Sequence, residues 1–286
     1  LDALAKGGMR FTQFYNTARC CPTRASLLTG LYAHQAGIGH MSRPVDYPGY
    51  RGDRSHQAVT IAEVLRAGGY RTSMVGKWHV SRSHHAKDGI SNWPVQRGFE
   101  RFYGTIRGFG SFYDPETLCR QNTYITPDND PDYRPAQYYY TDALTDNAVA
   151  YLRETAGKPA PFFLYVAYTA AHWLLQAPEK DIAKYRGKYD GGYEPVRQAR
   201  LAKMRRLGLL PPQWEAAPTI GQWDQVADKA WEARCMEVYA AMIEDMDSSI
   251  GRFLTALDTA GLRQNTLVLF KSDNGGYNGD NRPLRG

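Results

Sequence analysis

Cys20-Cys21-Pro22-Thr23-Arg24-Ala25-Ser26-Leu27-Leu28-Thr29-Gly30 is the stretch around which the chain is organised. Pro22 is tolerated at the first position of a helix, where its missing N–H costs nothing. That places Cys20 and Cys21 just before a helix N-terminus. Free backbone N–H groups and the positive end of the helix dipole favour an anion there. Arg24 adds a planar, permanently charged donor fork suited to sulfate or phosphate oxygens. A candidate nucleophile therefore stands in a ready-made oxyanion site. The same spacing fits a small buried cysteine pair or half of a disulfide, and these residues alone leave that choice open.

Working outward, Thr60-Ile61-Ala62-Glu63 is a capping box, in which the hydroxyl caps the third helical N–H while Glu63 reaches back. Ile61, Val64 and Leu65 supply an apolar face, Gly68-Gly69 ends the helix, and a strand is predicted from Tyr70 to Val75. Helix, Gly-rich turn and strand in that order form half of a parallel unit. Pro161 precedes Phe162 to Tyr168, a run apolar on both faces, as in a buried parallel strand. Thr266 to Phe270 reads as a third buried strand, and Phe11 to Tyr15 as a strand leading into the cysteine helix. Helices are predicted over 141–156 and 232–258, the second from Met236, Met242, Met246, Ile250 and Leu257 at helical spacing. Residues 80–140 are rich in Gly, Pro, Tyr and Asp and predict loops and short strands over the active-site face. Residues 180–232 read as an excursion of broken helices, or a lid. The resulting class is α/β, a doubly wound, mostly parallel sheet with helices on both faces, in one domain over 1–286.

Three of these strands end in polar groups that are costly to bury: Lys77 and His79, then His172, then Asp273 and Asn274. In open α/β sheets ligands bind at the carboxyl ends of strands, so parallel neighbours bring these residues to one edge. Lys77 and His79 are two apart and, in extended geometry, project to the same side. Lys77 and His172 are expected to face solvent-filled space. Asp273-Asn274-Gly275-Gly276 is strong turn chemistry and also offers two oxygen ligands to a hard cation.

The net charge of +6 suits an anionic substrate, but no basic block or nucleic-acid-binding module accompanies it. No apolar run approaches the roughly 20 residues of a membrane span. Four cysteines lack zinc spacing. Leu1 is not an initiator methionine, Leu1 to Gly7 reads as the tail of a helix, and Arg285-Gly286 falls within a Gly/Asn/Pro-rich loop. The chain is expected to be a fragment missing both ends.

The string Cys-x-Pro-x-Arg followed by Leu-Thr-Gly resembles the signature of the type I sulfatases, within the alkaline phosphatase-like superfamily. Phe11-Thr12-Gln13-Phe14-Tyr15-Asn16 and His34-Gln35-Ala36-Gly37-Ile38-Gly39 are similar to bacterial arylsulfatases. The resemblance implies hydrolysis of an aryl, sugar or lipid sulfate monoester. It implies that Cys20, not Cys21, is oxidised to formylglycine by a maturation enzyme, and that Arg24 and a calcium ion hold the hydrated aldehyde. It implies that Lys77 binds the sulfate and formylglycine oxygens, that His79 assists turnover, and that His172 contacts the sulfate and the leaving oxygen. It assigns calcium to Asp273, Asn274 and residue 20, with two further aspartates expected before Leu1. It also implies a periplasmic or secreted location. His172 departs from the family pattern, standing between Ala171 and Trp173-Leu174 where proline is usual before the histidine and after the tryptophan. Two alternatives share these features: a phosphonate monoester or phosphodiester hydrolase, and a non-catalytic module that binds sulfated glycans.

Overall fold

A computed structural model of the chain describes residues 1–216 and 221–275. The first elements are helices α1 (Asp2–Lys6), α2 (Cys20–Thr29) and α3 (Ile61–Ala67), followed by strands β1 (Arg71–Gly76), β2 (Arg101–Thr105), β3 (Leu118–Arg120) and β4 (Thr123–Tyr124). Helix α4 (Tyr140–Thr155), strand β5 (Phe162–Ala167), and helices α5 (Glu179–Ile182), α6 (Tyr193–Arg206) and α7 (Lys229–Thr259) complete the order.

The strands form one sheet in the order β4-β3-β2-β1-β5. β1 lies parallel to both β2 and β5, with Met74 opposite Phe102 and Tyr165, and β3 and β4 continue antiparallel beyond β2. Alternation along β1 and β2 decides the two layers. Met74 and Phe102 pack with Ala25, Leu28 and Ala62 of α2 and α3. Val75 and Tyr103 pack on the other face with Ala143, Leu144 and Ala148 of α4 and with Ala241 and Met242 of α7. Helices therefore cover both faces of a parallel centre, as the apolar patterning predicts.

Local chemistry sets the element ends. Thr60 Oγ1 accepts from Glu63 N at 3.0 Å and Glu63 Oε2 accepts from Thr60 N at 2.7 Å, so both arms of the capping box are made. Asp228 caps α7 by accepting from Trp231 N at 2.9 Å. Gly76 ends β1 with φ +101°, and a Cβ there would stand 2.6 Å from the Ala167 carbonyl carbon. Only glycine lets the chain leave the sheet this close to β5.

Several expectations are corrected. Phe11 to Tyr15 form no strand, and Phe11, Phe14 and Tyr15 are exposed. Thr266 to Phe270 also form no strand: a strand requires a hydrogen-bonded neighbour, none among the described residues lies beside this segment, and Leu267 and Leu269 are 82% and 78% exposed. Among the described residues β5 pairs only with β1, so it is an edge strand there and half-buried rather than enclosed on both sides. On α7, Tyr239 and Ile243 remain exposed because the apolar stripe is wider than the surface that packs on it. α2 starts two residues earlier than Pro22 indicates, with Arg19 as N-cap and Thr23 N bonded to Arg19 O at 3.0 Å. Pro22 is thus the third helical residue, still within the turn whose N–H groups have no helical acceptor.

Candidate active site

The carboxyl end of β1 and the first turn of α2 meet. Cys20 Sγ lies 3.3 Å from His79 Nδ1, and both residues are buried. Arg24, one turn along α2, donates through Nη1 to the Lys77 carbonyl at 2.8 Å and to the Tyr165 hydroxyl at 3.2 Å. Its Nε and Nη2 both donate to Asp273 Oδ2, at 3.0 and 2.8 Å. Cys20, Arg24, Lys77, His79 and Asp273 therefore converge, drawn from three separate stretches of sequence.

The route by which Lys77 and His79 reach Cys20 differs from simple strand alternation. His79 takes φ +57°, the left-handed region, which is uncommon for a residue with a side chain. It is held there by bonds from Trp78 N to Thr105 O at 2.9 Å and from His79 N to Ile106 O at 3.1 Å. Lys77 is not exposed to solvent-filled space either; only 2% of it is accessible.

The charges are strongly coupled. The Cys20 thiol is held well below its ordinary value, first by a hydrogen bond from the Cys21 thiol, then by His79 and the Lys77 ammonium. Cys21 is pushed up in return by that bond and by burial. Burial, then the Arg24 charge, holds Lys77 below the usual ammonium range, while Cys20 and Asp273 oppose the shift. Burial alone would raise Asp273; the Arg24 and Lys77 charges outweigh it and keep the carboxylate below its usual range.

Desolvation pushes His79 down from 6.5 to about 4, against the bond to Cys20. The unfolded chain binds this proton near 6.5 and the folded chain only near 4. As pH falls through that window the unfolded state gains protons that the folded state refuses, so stability falls, by on the order of 3 kcal/mol in total. Urea unfolding midpoints at pH 7 and pH 4.5 should differ more for the wild-type protein than for His79→Asn. Equal differences would show that the imidazole does not stay neutral in the fold.

Two sequence-predicted residues do not join the cluster. His172 sits in the turn after β5, with Nδ1 2.6 Å from the Trp173 carbonyl and its ring stacked on Phe109 at 5.9 Å and 8°. A carbonyl only accepts, so Nδ1 carries the proton and Nε2 is left for another partner. Asn274 donates its amide to Gly275 O at 2.8 Å. Gly276 lies outside the described residues. Two residues escaped the sequence reading. Tyr165 orients Arg24, and the signal was a phenol inside an otherwise apolar strand, since a buried tyrosine hydroxyl needs a partner. Cys21 acts on Cys20 through its thiol, and adjacency was its only signal.

Asp273 and Asn274, the described oxygen donors to which the resemblance assigns calcium, do not complete its site by themselves. That cation takes about 6–8 oxygens. Here the cluster offers one carboxylate, whose Oδ2 already accepts twice from Arg24, beside the Lys77 ammonium. The compact set of possible metal-binding side chains among the described residues is Cys20, Cys21 and His79, a sulfur and nitrogen set rather than an oxygen one. No helix among the described residues is long and apolar enough to cross a membrane.

The sulfatase family profile matches residues 1–286. An uncharacterised sulfatase of Schizosaccharomyces pombe is 35% identical over 96% of this chain and 52% of its own length. The arylsulfatase of Klebsiella aerogenes is 32% identical over 96% of this chain and 60% of its own length. The crystal structure of Ps i-CgsB in complex with k-i-k-neocarrahexaose superposes with a TM-score of 0.59 at 26% identity, covering 93% of this chain and 51% of that one. The chain thus spans a little more than half the length of these relatives. A profile match along the whole chain, on a fold that gathers Cys20, Arg24, Lys77 and His79 at one sheet edge, shows that the chain belongs to the sulfatase family.

Proposed function

We propose that this chain carries the sulfate-ester-cleaving centre of a formylglycine-dependent sulfatase, with Cys20 as the residue modified by a maturation enzyme. The observation that carries this is the contact of Cys20 with His79 at 3.3 Å beside two buried cations, Lys77 and Arg24. A low-dielectric pocket with fixed positive charge stabilises a tetrahedral anion far better than water does. Oxidised to an aldehyde, residue 20 supplies a hydrated carbonyl as the nucleophile toward sulfur.

The other residues divide the remaining work. Arg24, fixed by Asp273, Tyr165 and the Lys77 carbonyl, keeps its charge aimed from the first turn of α2. The Lys77 ammonium neutralises charge on the sulfuryl oxygens. His79, neutral near pH 7, is placed to accept a proton from the group at position 20. His172, with Nδ1 bound to the Trp173 carbonyl, presents Nε2 to the departing alcohol oxygen. Water is the second reactant, and the products are the free alcohol and sulfate. Asp273, Asn274 and residue 20 would contribute to the calcium site that the family resemblance implies, where the cation would add positive charge beside the nucleophile.

A side-by-side measurement of kcat/KM on an aryl sulfate, a sulfated oligosaccharide and an aryl phosphonate monoester tests the reading. Sulfate esters are expected to be turned over fastest. Preference for the phosphonate would move the protein to the other hydrolase class, and binding of the sulfated saccharide without turnover would make it a binding module.

A further inference from the structure

The loop after β2 touches both histidines of the proposed centre. Its Ile106 carbonyl accepts from His79 N at 3.1 Å. At Gly108 a Cβ would fall on the His79 imidazole, 2.6 Å from Cγ and nearer still to Nδ1 and Cε1. Gly108 does not adopt the left-handed backbone that often demands glycine. The residue is therefore small because the imidazole lies against it, not because the backbone requires it. The next residue, Phe109, lies parallel to the His172 ring at 5.9 Å and 8°, within the range of a favourable offset stack.

The same loop is braced from behind. The Arg107 guanidinium lies 4.8 Å from the Phe109 ring centroid and donates to Glu116 Oε2 at 2.6 Å. Arg107 N donates to Thr117 Oγ1 at 3.0 Å and Ile106 N to Thr117 O at 3.3 Å. Residues 116–117 lead directly into β3, so the brace is anchored in the sheet. His79 follows β1 and His172 follows β5, and no hydrogen bond joins the two side chains in this arrangement. The loop is in contact with both.

We propose that Ile106–Phe109 is a positioning element that sets the two imidazoles relative to one another, Gly108 by close approach to His79 and Phe109 by stacking on His172, with Arg107 and Glu116 as its brace. Gly108 and Phe109 are positioning residues; they act through the histidines. The catalytic consequence rests on the function proposed above, whereas the geometric claim does not. A displaced catalytic group can lose on the order of 10²-fold in rate.

The test has two arms that can fail separately. In the first, histidine side-chain NMR is recorded on the 286-residue chain, with His79 and His172 assigned through His79→Asn and His172→Asn. Gly108→Ala is expected to shift the His79 side-chain resonances, because the added Cβ would fall on its ring. Phe109→Ala is expected to shift His172, and Phe109→Tyr to restore its signals. Gly251→Ala, at a helical glycine with open space around it, controls for the substitution and should move neither. If Gly108→Ala does not fold, the Phe109 pair decides the proposal alone. Unchanged His79 signals in a folded Gly108→Ala, or unchanged His172 signals in Phe109→Ala, overturn it.

The second arm measures steady-state kinetics of the matured protein on aryl sulfates of graded leaving-group pKa. Phe109→Ala is expected to lower kcat about tenfold with KM little changed, most for poor leaving groups, and Phe109→Tyr to recover most of the loss. An equal loss for all leaving groups overturns the assignment of Phe109 to His172 in catalysis. If the wild-type protein hydrolyses no sulfate ester, the functional reading fails and the NMR arm still decides the positioning claim.

Discussion

Cys20→Ala is expected to abolish sulfate-ester hydrolysis, while Cys21→Ala is expected to retain most of it. Removing the nucleophile of a covalent mechanism costs on the order of 10⁴-fold or more in kcat, the largest effect expected of any single change here. The two cysteines are adjacent and both buried, yet their environments differ. Cys20 faces His79 and feels the Lys77 ammonium, and its thiol is held low. Cys21 is wholly inaccessible and its thiol is held high. Peptide mass spectrometry of the protein as its host makes it, or after co-expression with a maturation enzyme, should find the aldehyde on residue 20 and a thiol on residue 21. Full activity with an unmodified Cys20, or an aldehyde on Cys21, would refute the assignment. Loss of activity in both variants, with folding intact, would show that the Cys21 contact is itself required.

Lys77→Met is expected to lower kcat by about 10²–10³-fold, the usual cost of losing one preorganised charge-stabilising donor, without lowering stability at neutral pH. The two effects have one cause. Lys77 is 2% exposed, and burial holds its pKa below 10.5. The folded chain therefore binds this proton less tightly than the unfolded chain, a penalty that is relieved as pH rises toward 10.5. Methionine keeps much of the stem volume and removes the charge, so the penalty disappears while little cavity opens. Lys77→Ala would add a cavity cost and blur the comparison. Urea unfolding and kcat measured on the same preparation decide the matter. A variant that loses several kcal/mol of stability at near-normal kcat would make Lys77 a structural residue.

Much of the architecture was legible because it depends on local pattern. Thr60-x-x-Glu63 specifies both arms of the cap that begins α3, and both are formed. The apolar run 162–167 specifies a strand beside β1, since strands that follow helices in this order pair in parallel. Where the reading failed, the missing information was non-local. Apolar residues at 11–15 and 266–270 satisfy strand patterning equally well, but a strand exists only by virtue of a neighbour, and periodicity carries no record of one. The edge position of β5 has the same origin.

The chemistry divides along the same line. Sequence by itself determined which side chains are available and their local order: a thiol opening a helix, a guanidinium one turn later, a lysine and two histidines after strands. These follow from covalent spacing and helix geometry, which act within a few residues. Only the tertiary structure decided that Arg24 closes on Asp273, 249 positions away, and on Tyr165, so that this carboxylate fixes the guanidinium. Only the tertiary structure buried Lys77, turned His79 into the left-handed region, and set Gly108 and Phe109 against the two imidazoles. Burial and through-space charge depend on what the rest of the chain brings into contact, and desolvation then makes a lysine or histidine behave unlike the same residue in water.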